Sequence, residues 1–122
     1  MTNDCGVFRT GQQMTQALQK VKDLQERFPQ AQVMDKSRRF NTDLLGAIET
    51  EHLLTFAEVV VVSALNREES RGAHSRTDFA KRDDAKWLKH TLAFKNGGDG
   101  PRLGYKSVNI DWEKYPPQER KY

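Results

Sequence analysis

The chain has 122 residues, 36% of them hydrophobic and 30% charged, with a net charge of +3, which points to one small soluble domain or part of one. No stretch approaches the roughly 18 consecutive apolar residues of a membrane span, and the N-terminus lacks the basic-then-apolar pattern of a secretion signal. A lone cysteine, Cys5, excludes an internal disulfide and a cysteine metal cage, so a reducing cytosol fits. Area scaling predicts that about two-thirds of the unfolded surface can be buried, enough for a modest core.

Residues 1–9 show no amphipathic period. Thr10 to Gln13 reads as a capping box, in which the Thr hydroxyl accepts from the backbone N–H three residues on and the Gln side chain reaches back. Met14, Leu18, Val21, Leu24 and Phe28 then recur at steps of three and four, which predicts a helix ending before Pro29.

Asn41 is the next start signal, with Phe40 placed to pack on Leu45 as a hydrophobic staple. Leu44, Leu45 and Ile48 form one face; Leu53, Ala57, Val60 and Ala64 form another, about 140° further round. This change of phase predicts a break near Glu49 to Glu51 and hence two helices. The run Val59 to Val62 suits a strand on propensity, but no Gly or Pro brackets it, and the segment Phe56 to Leu65 is predicted to be helical. Phe56 and Val60 are expected to meet the first helix.

Apolar residues fill 14 of 22 positions from Leu44 to Leu65 but only 6 of 26 from Asn66 to Thr91. In this polar half Asp83 or Asp84 can cap a short turn through Trp87. The alternating run His90 to Lys95, a turn cluster from Asn96 to Pro101 and the run Arg102 to Ser107 together predict a hairpin. Pro116-Pro117 predicts an extended end. The fold expected is mainly α: a three-helix bundle over residues 1–72, then an extended polar segment over residues 73–122 with a small β-hairpin and a C-terminal tail packing on the bundle, one domain overall.

His52, His74 and His90 have no metal-ligand spacing, no GxSxG is present, and Gly97 to Gly100 lacks the Lys-Ser/Thr of a phosphate loop. The densest polar motif runs from Glu68 to Phe79. One reading is a solvated helix end with internal ion pairs, Gly72 serving as the helix C-cap. The other is a docking loop of Arg67, Glu69, Arg71, Gly72, His74 and Arg76, whose guanidinium donors outnumber the local carboxylates Glu68 and Glu69 and so need partners outside the domain. Nucleic acid is disfavoured because five acidic residues interrupt the basic ones.

Leu65 to His74, Asp78-Phe79, Arg82-Asp83-Asp84 and Trp87 to Leu92 strongly resemble the C-terminal helical domain of the flavoprotein subunit of succinate dehydrogenase and fumarate reductase. The likeness runs from Asn3 to Thr10, through Phe40 to Leu44, to the Pro-Pro segment and final Tyr122, and Ala80 departs from it where many members carry proline. It implies a parent enzyme that interconverts succinate and fumarate with FAD and passes electrons to an iron-sulfur subunit at the inner, cytoplasmic face of a membrane. It further implies that this piece holds no catalytic, cofactor-binding or metal-binding residue and packs against the flavin-binding domain and the iron-sulfur subunit, without inserting into the membrane. A free-standing helical protein-binding module is the alternative.

Overall fold

Thr10 and Gln13 form both halves of the predicted capping box, and helix α1 runs from Gly11 to Arg27 before Pro29 tightens the chain into a single 3-10 turn, Phe28–Gln30. The computed structural model describes residues 1–97, 100–111, 113–116 and 118; Gly98, Asp99, Pro117 and Tyr122, on which parts of the predicted turn and tail fall, lie outside them.

Asn41 caps helix α2 by accepting the Leu44 N–H at 2.8 Å, and α2 then continues without interruption from Thr42 to Asn66. The expected break at Glu49 to Glu51 is absent. Glutamate is a good helix former and no proline intervenes. The shift in apolar phase therefore marks a second apolar face on one helix. Residues 1–72 hold two α-helices, and the third helix is α3, Asp84–Trp87, capped by the Asp83 carboxylate on the Lys86 N–H.

Among the described residues four short strands complete the fold. β1 (Phe8–Arg9), in a stretch without an amphipathic period, pairs in parallel with β2 (Ser75–Arg76). β3 (Lys89–Phe94) and β4 (Arg102–Ser107) form the predicted hairpin, in register from Lys89 opposite Ser107 to Phe94 opposite Arg102. The domain is thus mainly α, with three α-helices and a small antiparallel hairpin among the described residues.

Met14, Ala17, Val61, Ala64 and Cys5 form the core between α1 and α2, with Leu18 and Leu65 packed on it. The other side of α2 is uncovered: Leu45, Ile48, Leu53, Phe56 and Val60 are all exposed, so Phe56 does not meet α1. The staple also fails, since Phe40 is 99% exposed and Leu45 stands free of it. The chain exposes 9636 Å², against about 6,700 Å² for a compact monomer of this mass, so folding hides about half of the extended chain's surface and not two-thirds. Among the described residues no helix is long and apolar enough to cross a membrane.

Candidate functional site

Beyond Asn66 the backbone becomes extended, and side chains two residues apart lie on one face. Arg67, Glu69 and Arg71 therefore converge. Glu69 is fully buried and accepts from Arg67 Nη1 at 2.5 Å, from Arg71 Nε at 2.9 Å and Nη2 at 3.0 Å, and from the Asp83 N–H at 2.9 Å. Burial pushes its carboxyl upward, but the hydrogen bonds from Arg71, Asp83 and Arg67 together outweigh it and hold Glu69 below the ordinary carboxylate value.

The remaining donors find acceptors on neighbouring elements. Arg67 reaches the carbonyls of Trp87 and Lys89 and the Thr91 hydroxyl, tying the end of α2 to α3 and β3. Arg71 bonds Asp84 at 2.5 Å, and Arg82 grips the other oxygen of the same carboxylate. Hydrogen bonding to Glu69 raises the Arg71 value against the opposing effect of burial, and Arg82 followed by Arg71 lowers that of Asp84. Trp87 is buried at the base of this cluster, with the Arg67 guanidinium 5.2 Å and Lys89 Nζ 5.0 Å from its ring centroid.

Arg76 forms a second, linked centre. It is 3% exposed and donates to the Ala64, Leu65 and Arg67 carbonyls, which the end of α2 leaves without intrahelical partners. Its other edge forks onto Asp78, whose Oδ2 also accepts the Gly11 N–H at the start of α1. Gly11 leaves room for this joint: a Cβ there would sit 3.2 Å from both Arg76 Nη2 and Asp78 Oδ2.

Gly72 is not the C-cap of α2. It lies, with φ +58°, in a tight turn closed by paired backbone hydrogen bonds between Arg71 and His74, because α2 already ends at Asn66 with Arg67 as its cap. His74 directs Nε2–H at the Arg67 carbonyl, 3.0 Å away. Its pKa is lowered by burial first, against the opposing hydrogen bond to the Arg67 carbonyl and with the charges of Arg9, Arg76 and Arg67 acting in the same direction as burial.

All six residues of the predicted loop thus lie together, around carboxylates that a count of Glu68 and Glu69 left out: Asp78 and Asp84. The signal for them is the spacing itself, since Arg67-x-Glu69-x-Arg71, Arg76-x-Asp78 and Arg82-x-Asp84 all place opposite charges two positions apart, and in the fold each pair closes. Chemically the cluster is a brace, in which charge is closed on charge. His52 on α2, His74 in the loop and His90 on β3 do not converge, and no group of metal-ligating side chains occurs among the described residues. Nor does the glycine-rich stretch fit a flavin pyrophosphate. It joins β3 to β4, so a strand follows it where a phosphate cradle needs a helix N-terminus.

The comparisons agree with this architecture. The family model described as the fumarate reductase flavoprotein C-terminus matches residues 1–122. The chain is 48% identical to a fumarate reductase flavoprotein subunit of a Serratia species, over all of this chain and 20% of that protein. It is 42% identical to the succinate dehydrogenase flavoprotein subunit of Coxiella burnetii, over 98% of this chain and again 20% of the relative. A mutant FrdA chain of E. coli quinol fumarate reductase superposes with a TM-score of 0.90 at 44% identity, covering 98% of this chain and 20% of that one. The chain spans about a fifth of the length of the relatives it matches, and it belongs to the family of C-terminal domains of the succinate dehydrogenase and fumarate reductase flavoprotein subunits.

Proposed function

We propose that this chain is the structural and docking domain of a flavoprotein that interconverts succinate and fumarate with FAD and passes electrons to an iron-sulfur subunit at the inner face of a membrane. The chemistry resides in the rest of that polypeptide. The chain supplies a shaped support, and the loop of Arg67, Glu69, Arg71, Gly72, His74 and Arg76 fixes the angle at which α2, α3 and the hairpin meet the surfaces they dock on.

The observation that carries this reading is the bare second face of α2. α2 buries one apolar face against α1 and leaves a second one bare, and its exposed Leu53, Phe56 and Val60 form a surface that water does not favour. The flavin-binding part of the same subunit is the natural cover.

Amide exchange tests it. In the isolated chain the amides of residues 53–60 should exchange at least about ten times faster than in the whole flavoprotein, because covering the helix suppresses local opening. Equal protection in the two would return the chain to a free-standing binding module. FAD added to the isolated chain should leave the flavin spectrum that of free cofactor, and a stoichiometric complex would overturn the division of labour.

A further inference from the structure

The irregular segment between α1 and α2 carries, at a strained position, the most exposed large hydrophobic side chain among the described residues. Phe40 is 99% exposed and has φ +52°, the only non-glycine residue with positive φ among those described. A left-handed backbone is unfavourable for a phenylalanine, and such strain persists only where the surroundings over-determine it.

Here they do. The Asp43 carboxylate accepts the Met34 and Asp35 N–H groups at 2.6 and 3.1 Å, and Asp35 accepts the Ser37 N–H at 2.8 Å. The Asn41 amide donates to the Asp35 and Ser37 carbonyls at 2.8 and 3.0 Å, and the Thr42 N–H returns to the Phe40 carbonyl at 2.9 Å. The loop is rigid by construction and points its one aromatic ring into solvent.

The surroundings of the ring define what it fits. Lys36, Arg38 and Arg39 are exposed, and no carboxylate among the described residues pairs with any of them. The two nearby acids, Asp35 and Asp43, are turned onto backbone N–H groups. Met34, 78% exposed, and Leu44 extend the apolar surface. An exposed aromatic ring on a loop that also exposes Met and Arg has the composition of a subunit interface, whereas the Leu, Phe and Val surface of α2 is that of a domain core.

We infer that the Phe40 tip is an anchor for a separate protein subunit, which receives the ring in an apolar pocket rimmed by carboxylates that pair with Lys36, Arg38 and Arg39. This rests on the docking reading above and names its surface. The strain has a use: holding the ring in its bound orientation beforehand removes part of the ordering cost of association.

The test uses the full-length flavoprotein bearing this sequence, with its co-expressed partner subunits. Phe40→Gly suits the left-handed backbone and deletes only the ring, so it should leave the melting of the flavoprotein alone unchanged and weaken its affinity for the partner by about thirtyfold or more, as removal of an aromatic anchor does. Phe40→Trp should restore binding to within about threefold. The double change Arg38→Glu, Arg39→Glu should slow association about tenfold and flatten its salt dependence. Unchanged affinity in both Phe40→Gly and the charge reversal would overturn the anchor while leaving the docking reading intact. A lowered melting temperature of the Phe40→Gly flavoprotein alone would place the ring against its own polypeptide and also overturn it. A parent that binds no partner subunit at all would overturn both.

Discussion

Arg76 and Asp78 form a two-point ion pair, Nε to Oδ1 at 2.7 Å and Nη2 to Oδ2 at 2.8 Å, that joins the C-terminal end of α2 to the N-terminal end of α1. The guanidinium supplies the donors that three carbonyls at the end of α2 lack, and the carboxylate receives the Gly11 N–H. Each side chain complements the partial charge of the helix end it meets.

Arg76→Ala should therefore lower the stability of the chain by about 3 to 5 kcal/mol, since it strips a buried charge from its partners and leaves helix carbonyls unpaired. Arg76→Lys should recover little, because an ammonium cannot reproduce the planar fork. Urea melts of the three proteins decide the point, and a lysine variant as stable as the parent would reduce the pair to a point charge.

Arg71→Ala should destabilise the chain itself by about 2 to 4 kcal/mol, because Glu69 is fully buried and loses two of its donors. A loop that made its contacts outside the domain would tolerate this change in isolation. Thermal melting of the isolated chain separates the two, and a shift under about 1 °C would count against the brace.

Core burial ranks the apolar positions. Met14 is fully buried between the helices while Phe56 is 67% exposed. Met14→Ala should cost about 2 to 5 kcal/mol and Phe56→Ala under about 0.5 in the isolated chain. In the whole flavoprotein Phe56→Ala should become costly, and denaturant midpoints in both contexts measure the change.

Stability should fall in two stages as pH drops. The value of His74 is lowered in the folded chain from an ordinary 6.5, so the unfolded chain takes up this proton first. Its contribution is complete above about pH 6.5 and is lost as pH falls through the folded value. Glu69, Asp78 and Asp84, all lowered in the folded chain, act with the same sign in a lower window: their contribution is complete above the ordinary carboxylate values of 4.5 and 3.8 and disappears as the folded values are crossed. His74→Gln should flatten the melting temperature between about pH 7.5 and 5.5 and leave the acid decline. An unflattened profile would assign the upper stage to another group.

Local signals were legible where the chemistry is local. Thr10, Gln13, Asn41 and Asp83 cap the helices their sequence neighbourhood announces, and the alternating runs on either side of the turn pair as a hairpin. The continuity of α2 was not legible, because two apolar faces at different phases look like two helices when each is assumed to face the same core. The same assumption placed Phe56 inside. At the candidate site the members were legible, and Asp78 stands two positions from Arg76, but the pairing of Arg71 with Asp84 and of Arg67 with the Trp87 and Lys89 carbonyls joins elements that only the tertiary fold brings together. β1 was invisible because two residues, Phe8 and Arg9, have no period, and their pairing is fixed by Ser75 and Arg76.

The joint between Gly11 and Asp78 spans 67 positions of sequence, and this sets an order of assembly. Helices α1 and α2 are neighbours along the chain and can pair as soon as α2 has left the ribosome. β1 and the first turn of α1 emerge early but cannot be locked until residues 75–78 follow. Non-local closures of this kind are slow, since the entropy of the intervening loop must be lost before any contact compensates for it. Resistance of the N-terminal segment to proteolysis is therefore expected to depend on the Arg76-Asp78 clasp.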